Sequence, residues 1–279
     1  MEKIHQPIAQ PEAAENYDDK RQLRLINEIM ELLVTHHGGS LSEQVLDDSI
    51  DALQKAIKLA QDAHRKQVRK SGEPYFFHPL RVAHLAARHW MDFASVIAAL
   101  LHDVVEDKPT TLENVSEMFG MEIGLLVDGL TKVDDDLLSR SALKAQTYRK
   151  QVLLAVRDIR VLCLKFWDRI DNLQTIQALN PEKQRLIAEE SRMIYVPLAR
   201  HLGMGRVATE LDALSLRILY PTRAVRYDAH VHEMRELHEP NFGRIRSEIR
   251  NVLEHHKIDA LLKDRWRHFS IAAARTTGR

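Results

Sequence analysis

The sequence predicts an all-α fold. Apolar residues recur at helical spacing along most of the chain. Only 10 glycines and 9 prolines punctuate the 279 residues, so the chain has few of the residues that form turns. No internal repeat and no low-complexity segment interrupts the pattern. We therefore expect a helical bundle, with a short C-terminal fragment that combines helix with a possible strand.

The first two helices follow a polar N-terminus. We expect residues 1–19 to be loosely ordered. Helices are predicted near Arg21–Thr35 and Leu46–Arg69, and Gly38-Gly39 between them suits a helix C-terminus. Ser71-Gly72-Glu73-Pro74 then breaks the helical pattern.

The next helices contain the most apolar part of the chain. Pro79 suits the first turn of a helix, because proline has no amide hydrogen and the amides of the first turn have no hydrogen-bond partner within the helix. The apolar helix Phe93–Glu106 follows and ends before Lys108-Pro109. Thr111 resembles an N-cap, and Val115–Lys132 is predicted to form two short helices separated by glycine.

Five longer helices complete the prediction. They lie near Leu143–Val156, Val161–Leu179, Pro181–Leu202, Val207–Tyr220 and Arg223–His255, the last interrupted at Pro240. Ile159–Phe166 taken alone is also compatible with a buried strand, and Ile258–Leu262 is a second strand candidate. We expect one helical domain at residues 20–221 and a helical extension at residues 222–279 that ends in a basic tail.

The composition limits the classes of function. Apolar residues make up 44% and charged residues 29% of the chain, as in ordinary globular proteins. Forty basic residues balance 40 acidic ones, so no overall field recruits nucleic acid or membrane, and we expect neither as a partner. Cys163 is the one cysteine, which excludes an internal disulfide. No signal peptide and no run of about 20 apolar residues is present, so we expect a cytoplasmic protein.

Four polar residues that lie far apart in sequence indicate a metal site: His78, His102, Asp103 and Asp168. His102-Asp103 directly follows the apolar run Val96–Leu101, and a buried charge without a partner costs several kcal/mol. A divalent metal is the simplest single partner for two imidazoles and two carboxylates. Such a donor set suits Mn²⁺, Fe²⁺ or Zn²⁺ better than Ca²⁺. The pattern predicts a metal-dependent phosphohydrolase.

Two further carboxylates follow on the same helix. Glu106 lies four residues after His102 and Asp107 four residues after Asp103, so each pair shares a helix face. A metal there would acidify a bound water and clamp phosphate oxygens. Glu106, helped by Asp107, is placed to take the proton of that water. A His-Asp dipeptide alone lies more often on the surface or at a helix cap than in a metal site. The whole group of predicted metal ligands and neighbouring carboxylates is much less expected by chance.

Several runs of the sequence carry a family resemblance. They are Arg69–Tyr75, His78-Pro79, Ala99–Asp107, Leu126–Lys132, Asp168-Arg169 with Asn172, and Tyr195–Ala199. In this order they resemble the signature runs of the HD-type hydrolase domain of the RelA/SpoT family, over about Ile57–Pro221. The resemblance implies an HD-domain helical bundle and a Mn²⁺-dependent 3′-pyrophosphohydrolase. Such an enzyme converts (p)ppGpp to GDP or GTP and pyrophosphate.

The resemblance also implies roles for individual residues. The metal Mn²⁺ would be held by His78, His102, Asp103 and Asp168, and water would be activated by Glu106 and Asp107. The guanine base would stack on Arg69, with Lys70 and Ser71 close to the nucleotide. The ribose and phosphate side would be contacted by Asn172 and Thr175. A planar guanidinium stacks on a purine more readily than an ammonium does.

The sequence departs from the family pattern at two residues near the predicted site and in its C-terminal segment. The family usually has a small residue in place of Trp167 and histidine in place of Asp171, so both residues put the fit of the nucleotide in doubt. Residues 244–269 weakly resemble the entry to the family's synthetase domain, whose nucleotide motifs do not follow. We therefore expect no alarmone synthetase activity.

Two alternatives remain at this point. The same metal site would serve a hydrolase of another nucleotide, such as ppApp or the 2′-phosphate of NADPH. The site would also serve a regulatory module that senses a nucleotide without turning it over. The sequence does not predict the oligomeric state.

Overall fold

The structure, a computed structural model, describes residues 17–107, 110–131, 140–260 and 262. These residues form α-helices with short 3₁₀ and π segments, and none of them lies in a β-strand. The predicted all-α fold is therefore confirmed. The chain divides into two compact units, residues 1–178 and residues 179–279.

In the part of the first unit that the structure describes, there are eight α-helices. They are α1 (Tyr17–His37), α2 (Glu43–His64), α3 (Phe77–Arg88), α4 (Phe93–Asp107), α5 (Leu112–Phe119), α6 (Met121–Leu130), α7 (Arg140–Arg157) and α8 (Arg160–Gln174). Short 3₁₀ segments follow α1 at Gly38–Ser40 and α8 at Ile176–Ala178. Because α1 begins at Tyr17, the last three residues of the segment expected to be loose are helical; residues 1–16 lie outside the described part.

Helix α4 is the centre of the first unit. It packs against α2, α3, α6 and α8. Val96, Leu100 and Leu101 are completely buried, as are Ala98 and Ala99. A helix that is surrounded by other helices needs apolar residues on every side. This explains the dense apolar run that precedes His102 and Asp103.

Helix α2 ends earlier than predicted, at His64 rather than near Arg69. The chain then forms a turn in which the Arg69 amide donates to the Glu73 carbonyl over 2.8 Å. Gly72 adopts φ +84°, a conformation that side chains with a Cβ rarely accept. The glycine and the hydrogen bonds within the turn outweigh helix propensity, and they place Arg69 in a turn.

Local signals set the other boundaries of the first unit. Thr111 and Asn114 form a reciprocal capping box at the start of α5. Gly120, at φ +93°, separates α5 from α6. The segment Ile159–Phe166 is not a strand; its residues from Arg160 onward belong to α8.

The second unit contains α9 (Pro181–Glu190), α10 (Val196–His201), α11 (Gly205–Leu219) and α12 (Pro221–His255). A π-helical segment, Ser191–Tyr195, joins α9 to α10. The domain boundary expected at residue 221 coincides with the start of α12 and stays a prediction.

Two expectations for the C-terminal part are wrong. Helix α12 continues through Pro240. Pro240 is exposed, so water can satisfy the carbonyl that proline leaves without a donor. The second strand candidate, Ile258–Leu262, does not form a strand at its described residues, 258–260 and 262. The Ile258 amide instead donates to the Leu253 carbonyl over 2.9 Å. Within the described ranges, no helix is long and apolar enough to cross a bilayer.

Candidate metal centre

Three helices of the first unit bring the four predicted ligands together. His78 lies in the first turn of α3, His102 and Asp103 lie near the end of α4, and Asp168 lies in the middle of α8. Helices α3, α4 and α8 all pack against one another. The packing of the core therefore collects side chains that are 90 residues apart in sequence.

The ligand atoms form a buried cluster. His78, His102 and Asp103 each offer one atom within 4.8 Å of the others, and all three residues are buried. The His102 Nε2 atom lies 3.2 Å from Asp103 Oδ1. Asp168 is connected to this group through His78, whose Nε2 atom lies 3.4 Å from Asp168 Oδ1. All four predicted ligands thus meet at one place.

The second nitrogen of each imidazole is already engaged. His102 Nδ1 lies 2.8 Å from the Ala99 carbonyl, which can only accept, so Nδ1 carries the hydrogen. His78 Nδ1 lies 2.6 Å from Asp171 Oδ2. Both rings therefore direct Nε2 toward the carboxylates of the cluster. A histidine that ligates a metal usually donates its other N–H in this way.

The electrostatics of the cluster suit a cation. Burial disfavours charge on Asp103, but His102, His78 and the Tyr75 hydroxyl hold the pKa of Asp103 below its usual value. Burial is likewise outweighed at Asp168, where Lys165, His78 and His102 hold the pKa well below the usual range. Both carboxylates are thus ionised at neutral pH. Two carboxylates and two imidazoles fit a divalent metal.

Two residues that the sequence reasoning missed support the carboxylates. The Tyr75 hydroxyl donates to Asp103 Oδ2 over 2.9 Å. Lys165 is buried, and its Nζ atom donates to Asp168 Oδ2 over 3.1 Å and to the Leu130 carbonyl over 3.0 Å. The spacing of three residues between Lys165 and Asp168 on one helix could have revealed this pair. No spacing in the sequence distinguishes Tyr75.

The residues expected to contact the nucleotide lie beside the cluster. Arg69 donates through Nη1 to Thr175 Oγ1 over 2.7 Å and through Nη2 to Asn172 Oδ1 over 3.0 Å. Asn172 in turn donates to Asp168 Oδ1 over 2.6 Å. Lys70 and Ser71 lie exposed on the same turn as Arg69. Arg69, Asn172 and Thr175 are thus connected to the predicted ligands, and their contacts with a nucleotide stay a prediction.

Glu106 and Asp107 form the end of α4. Their side chains lie outside the described residues, so their role as the base stays a prediction. Helix α4 places their backbone one turn after His102 and Asp103.

The two departures from the family pattern have different surroundings. Trp167 is buried; its Nε1 atom donates to Met91 Sδ and its ring stacks on His89 at 4.1 Å. His89 follows the last turn of α3, about 16 Å along the helix axis from His78. Trp167 is therefore a core residue here. Asp171 in contrast is completely buried directly behind His78.

Comparison with known proteins identifies a family and several relatives. The family model described as "HD domain" matches residues 56–205. A "Probable GTP pyrophosphokinase" of Mycobacterium leprae is 39% identical over 248 residues, covering 89% of this chain and 31% of the relative. The "Bifunctional (p)ppGpp synthase/hydrolase SpoT" of Escherichia coli is 38% identical, covering 80% of this chain and 32% of the relative.

A third relative is named for hydrolysis alone. The "Guanosine-3′,5′-bis(diphosphate) 3′-pyrophosphohydrolase" of Vibrio cholerae is 41% identical over 213 residues, covering 76% of this chain and 30% of the relative. The chain thus spans about a third of the length of the curated relatives it matches.

Proposed function

The chain belongs to the HD-domain family, and on that premise we propose that it is a Mn²⁺-dependent 3′-pyrophosphohydrolase. It would degrade (p)ppGpp to GDP or GTP and pyrophosphate. One observation carries the proposal: a buried group of His78, His102 and Asp103, joined by Asp168, lies directly beside Arg69, Asn172 and Thr175. A metal-binding set and a set suited to a nucleotide thus adjoin each other.

His78, His102, Asp103 and Asp168 would hold the metal. When bound, a divalent cation would polarise the phosphate and lower the pKa of a water. Tyr75 and Lys165 would keep the carboxylates in place, since both donate to them. The mixed nitrogen and oxygen donors suit Mn²⁺, and they are compatible with Fe²⁺ and Zn²⁺.

Arg69 would bind the guanine base. Its guanidinium donates to Thr175, Asn172 and Asp171, so its plane is fixed before any ligand arrives. A fixed guanidinium loses little conformational entropy when a purine stacks on it. Lys70 and Ser71, exposed on the same turn, would lie close to the nucleotide.

Glu106, helped by Asp107, would act as the general base. Both residues follow the metal ligands of α4 by one helical turn. A carboxylate in that place would accept a proton from the water that attacks phosphorus, as the bond between phosphorus and the 3′ oxygen breaks; the departing 3′ oxygen would take up a proton and become a hydroxyl. No covalent intermediate with the protein is needed.

The names of the relatives support the choice of substrate. The proteins of E. coli and V. cholerae are named for (p)ppGpp or guanosine bis(diphosphate). We further propose that the protein acts in the cytoplasm, where this class of nucleotide would be encountered.

The proposal is tested by turnover of purified protein with and without Mn²⁺, on ppGpp, ppApp and NADPH in parallel. We expect pyrophosphate and GDP from ppGpp, and loss of both products in EDTA. Asp103→Asn should abolish turnover. A matched control is Asp212→Asn, because Asp212 is also buried and paired with an arginine, Arg192, at 2.8 Å, yet belongs to the second unit.

Two outcomes would contradict the proposal. Turnover of ppApp or NADPH without turnover of ppGpp would move the activity to another nucleotide. Binding of Mn²⁺ and ppGpp without any product would instead identify a sensor.

A further inference from the structure

We propose that Asp171 is a positioning residue whose single buried carboxylate orients both the metal ligand His78 and the nucleotide-side Arg69. The inference rests on the metal site of the proposed function. In that proposed function, Asp171 contacts neither the metal nor the substrate.

The contact with His78 fixes the direction of the ring. Asp171 Oδ2 lies 2.6 Å from His78 Nδ1, and neither side chain is more than 3% exposed. An ionised carboxylate only accepts, so His78 Nδ1 carries the hydrogen. The other nitrogen, Nε2, is then the one that faces Asp103 and Asp168, 3.6 Å and 3.4 Å away.

The carboxylate itself is held in place from behind. Arg81 Nε donates to Asp171 Oδ1 over 2.5 Å, and Arg81 Nη1 reaches both Glu73 oxygens at 2.9 Å. Arg21 of α1 also donates to Glu73, over 3.1 Å. Positive and negative side chains therefore alternate along the series Arg21, Glu73, Arg81, Asp171 and His78. Each charge has a partner of opposite sign, which compensates the free-energy cost of its burial. Asp171 cannot rotate without breaking these pairs.

The same oxygen also reaches the nucleotide side. Arg69 Nη1 lies 3.3 Å from Asp171 Oδ2, the atom that accepts from His78. Thr175, which accepts from Arg69, donates its own hydroxyl to the Asp171 carbonyl over 2.8 Å. A displacement of Asp171 would therefore move a metal ligand and the proposed stacking residue together.

A neutral amide cannot replace this carboxylate. The donors around Asp171 are His78 Nδ1, Arg81 and Arg69, and Oδ1 and Oδ2 are both occupied as acceptors. In asparagine, one of these positions becomes an NH₂ group that faces a donor. Asp171→Asn should thus lose an acceptor where two are needed.

The first test is a Mn²⁺ titration of Asp171→Asn, followed by electron paramagnetic resonance of free Mn²⁺. Residues that orient a metal ligand typically contribute 10–100-fold to affinity, and we expect a loss of about that size. Asp212→Asn serves as the control for the loss of any buried Asp–Arg pair and should bind Mn²⁺ like the wild type. If Asp171 only stabilised the fold, Asp171→Asn and Asp212→Asn would bind Mn²⁺ with similar affinities.

A measurement on the wild type covers the case in which Asp171→Asn does not fold. Long-range ¹H–¹⁵N correlation spectra of the Zn²⁺-loaded protein report which His78 nitrogen carries the hydrogen. We expect a protonated, hydrogen-bonded Nδ1 and a metal-bound Nε2. A metal-bound Nδ1 would overturn the inference.

The outcomes separate this inference from the proposed function. Equal Mn²⁺ affinity of Asp171→Asn and wild type would overturn the inference alone. Weakened Mn²⁺ binding in the variant, with a wild type that leaves ppGpp intact, would support the inference and overturn the proposed activity. A wild type that binds no Mn²⁺ would overturn both.

Discussion

Metal binding should strengthen steeply with pH, because the metal must displace a proton from His78. Burial lowers the pKa of His78, but Asp168, Asp171 and Asp103 outweigh it and raise that pKa to about 9 in the metal-free protein. Below this pH the ring is protonated, so the fraction able to ligate rises with pH. From pH 6.5 to 8.5 that fraction grows roughly 75-fold, whereas an imidazole of ordinary pKa gains only about twofold.

The assay is calorimetric titration with Mn²⁺ at constant ionic strength over that pH range. The carboxylates add no pH dependence of their own, because the pKa values of Asp103 and Asp168 both lie below their usual value. We expect the association constant to rise by more than tenfold across the range. A rise of only about twofold would refute the reasoning, since it would mean that the carboxylates do not hold a proton on His78.

Three other predictions concern packing and catalysis. A Cβ at Gly129 would lie 2.6 Å from Val161 Cγ1, so Gly129→Ala should lower the free energy of unfolding by about 1–2 kcal/mol in denaturant melts. A Cβ at Gly243 in α12 would meet no atom within 4 Å, so Gly243→Ala should raise the free energy of unfolding by up to about 1 kcal/mol. Equal changes in stability for Gly129→Ala and Gly243→Ala would contradict the packing argument. Glu106→Gln should bind Mn²⁺ normally yet lose at least about 100-fold in kcat on ppGpp; unchanged kcat would exclude it as the base. Arg69→Ala should raise KM for ppGpp more than it lowers kcat, and an unaltered KM would count against stacking on guanine.

The sequence was sufficient to predict that His78, His102, Asp103 and Asp168 lie together, because their chemistry is unusual for their surroundings. His102 and Asp103 follow an apolar run that is buried on every side, and no ordinary core explains a charge there. The first-turn position of Pro79 predicted where α3 begins, two residues from its actual start at Phe77. Apolar periodicity thus predicted most of the helices, and charged residues that directly follow an apolar run predicted the cluster.

The supporting contacts could not be predicted, because they depend on which helices meet. Asp171 and His78 are 93 residues apart, and only the packing of α3 on α8 brings them to 2.6 Å. The end of α2 was missed for a related reason: hydrogen bonds of the turn between Arg69 and Glu73 compete with helix propensity. The continuity of α12 through Pro240 depends on solvent exposure, which the sequence pattern does not specify.

The most direct test of the proposed activity is ³¹P NMR of the products that Mn²⁺-loaded protein forms from ppGpp, recorded after Mn²⁺ has been removed on a chelating resin, because the products identify the linkage that is broken. We predict one pyrophosphate and one GDP with a free 3′ hydroxyl for each ppGpp consumed, and no reaction in EDTA. Release of inorganic phosphate, or intact ppGpp in the presence of metal-loaded protein, would contradict a 3′-pyrophosphohydrolase.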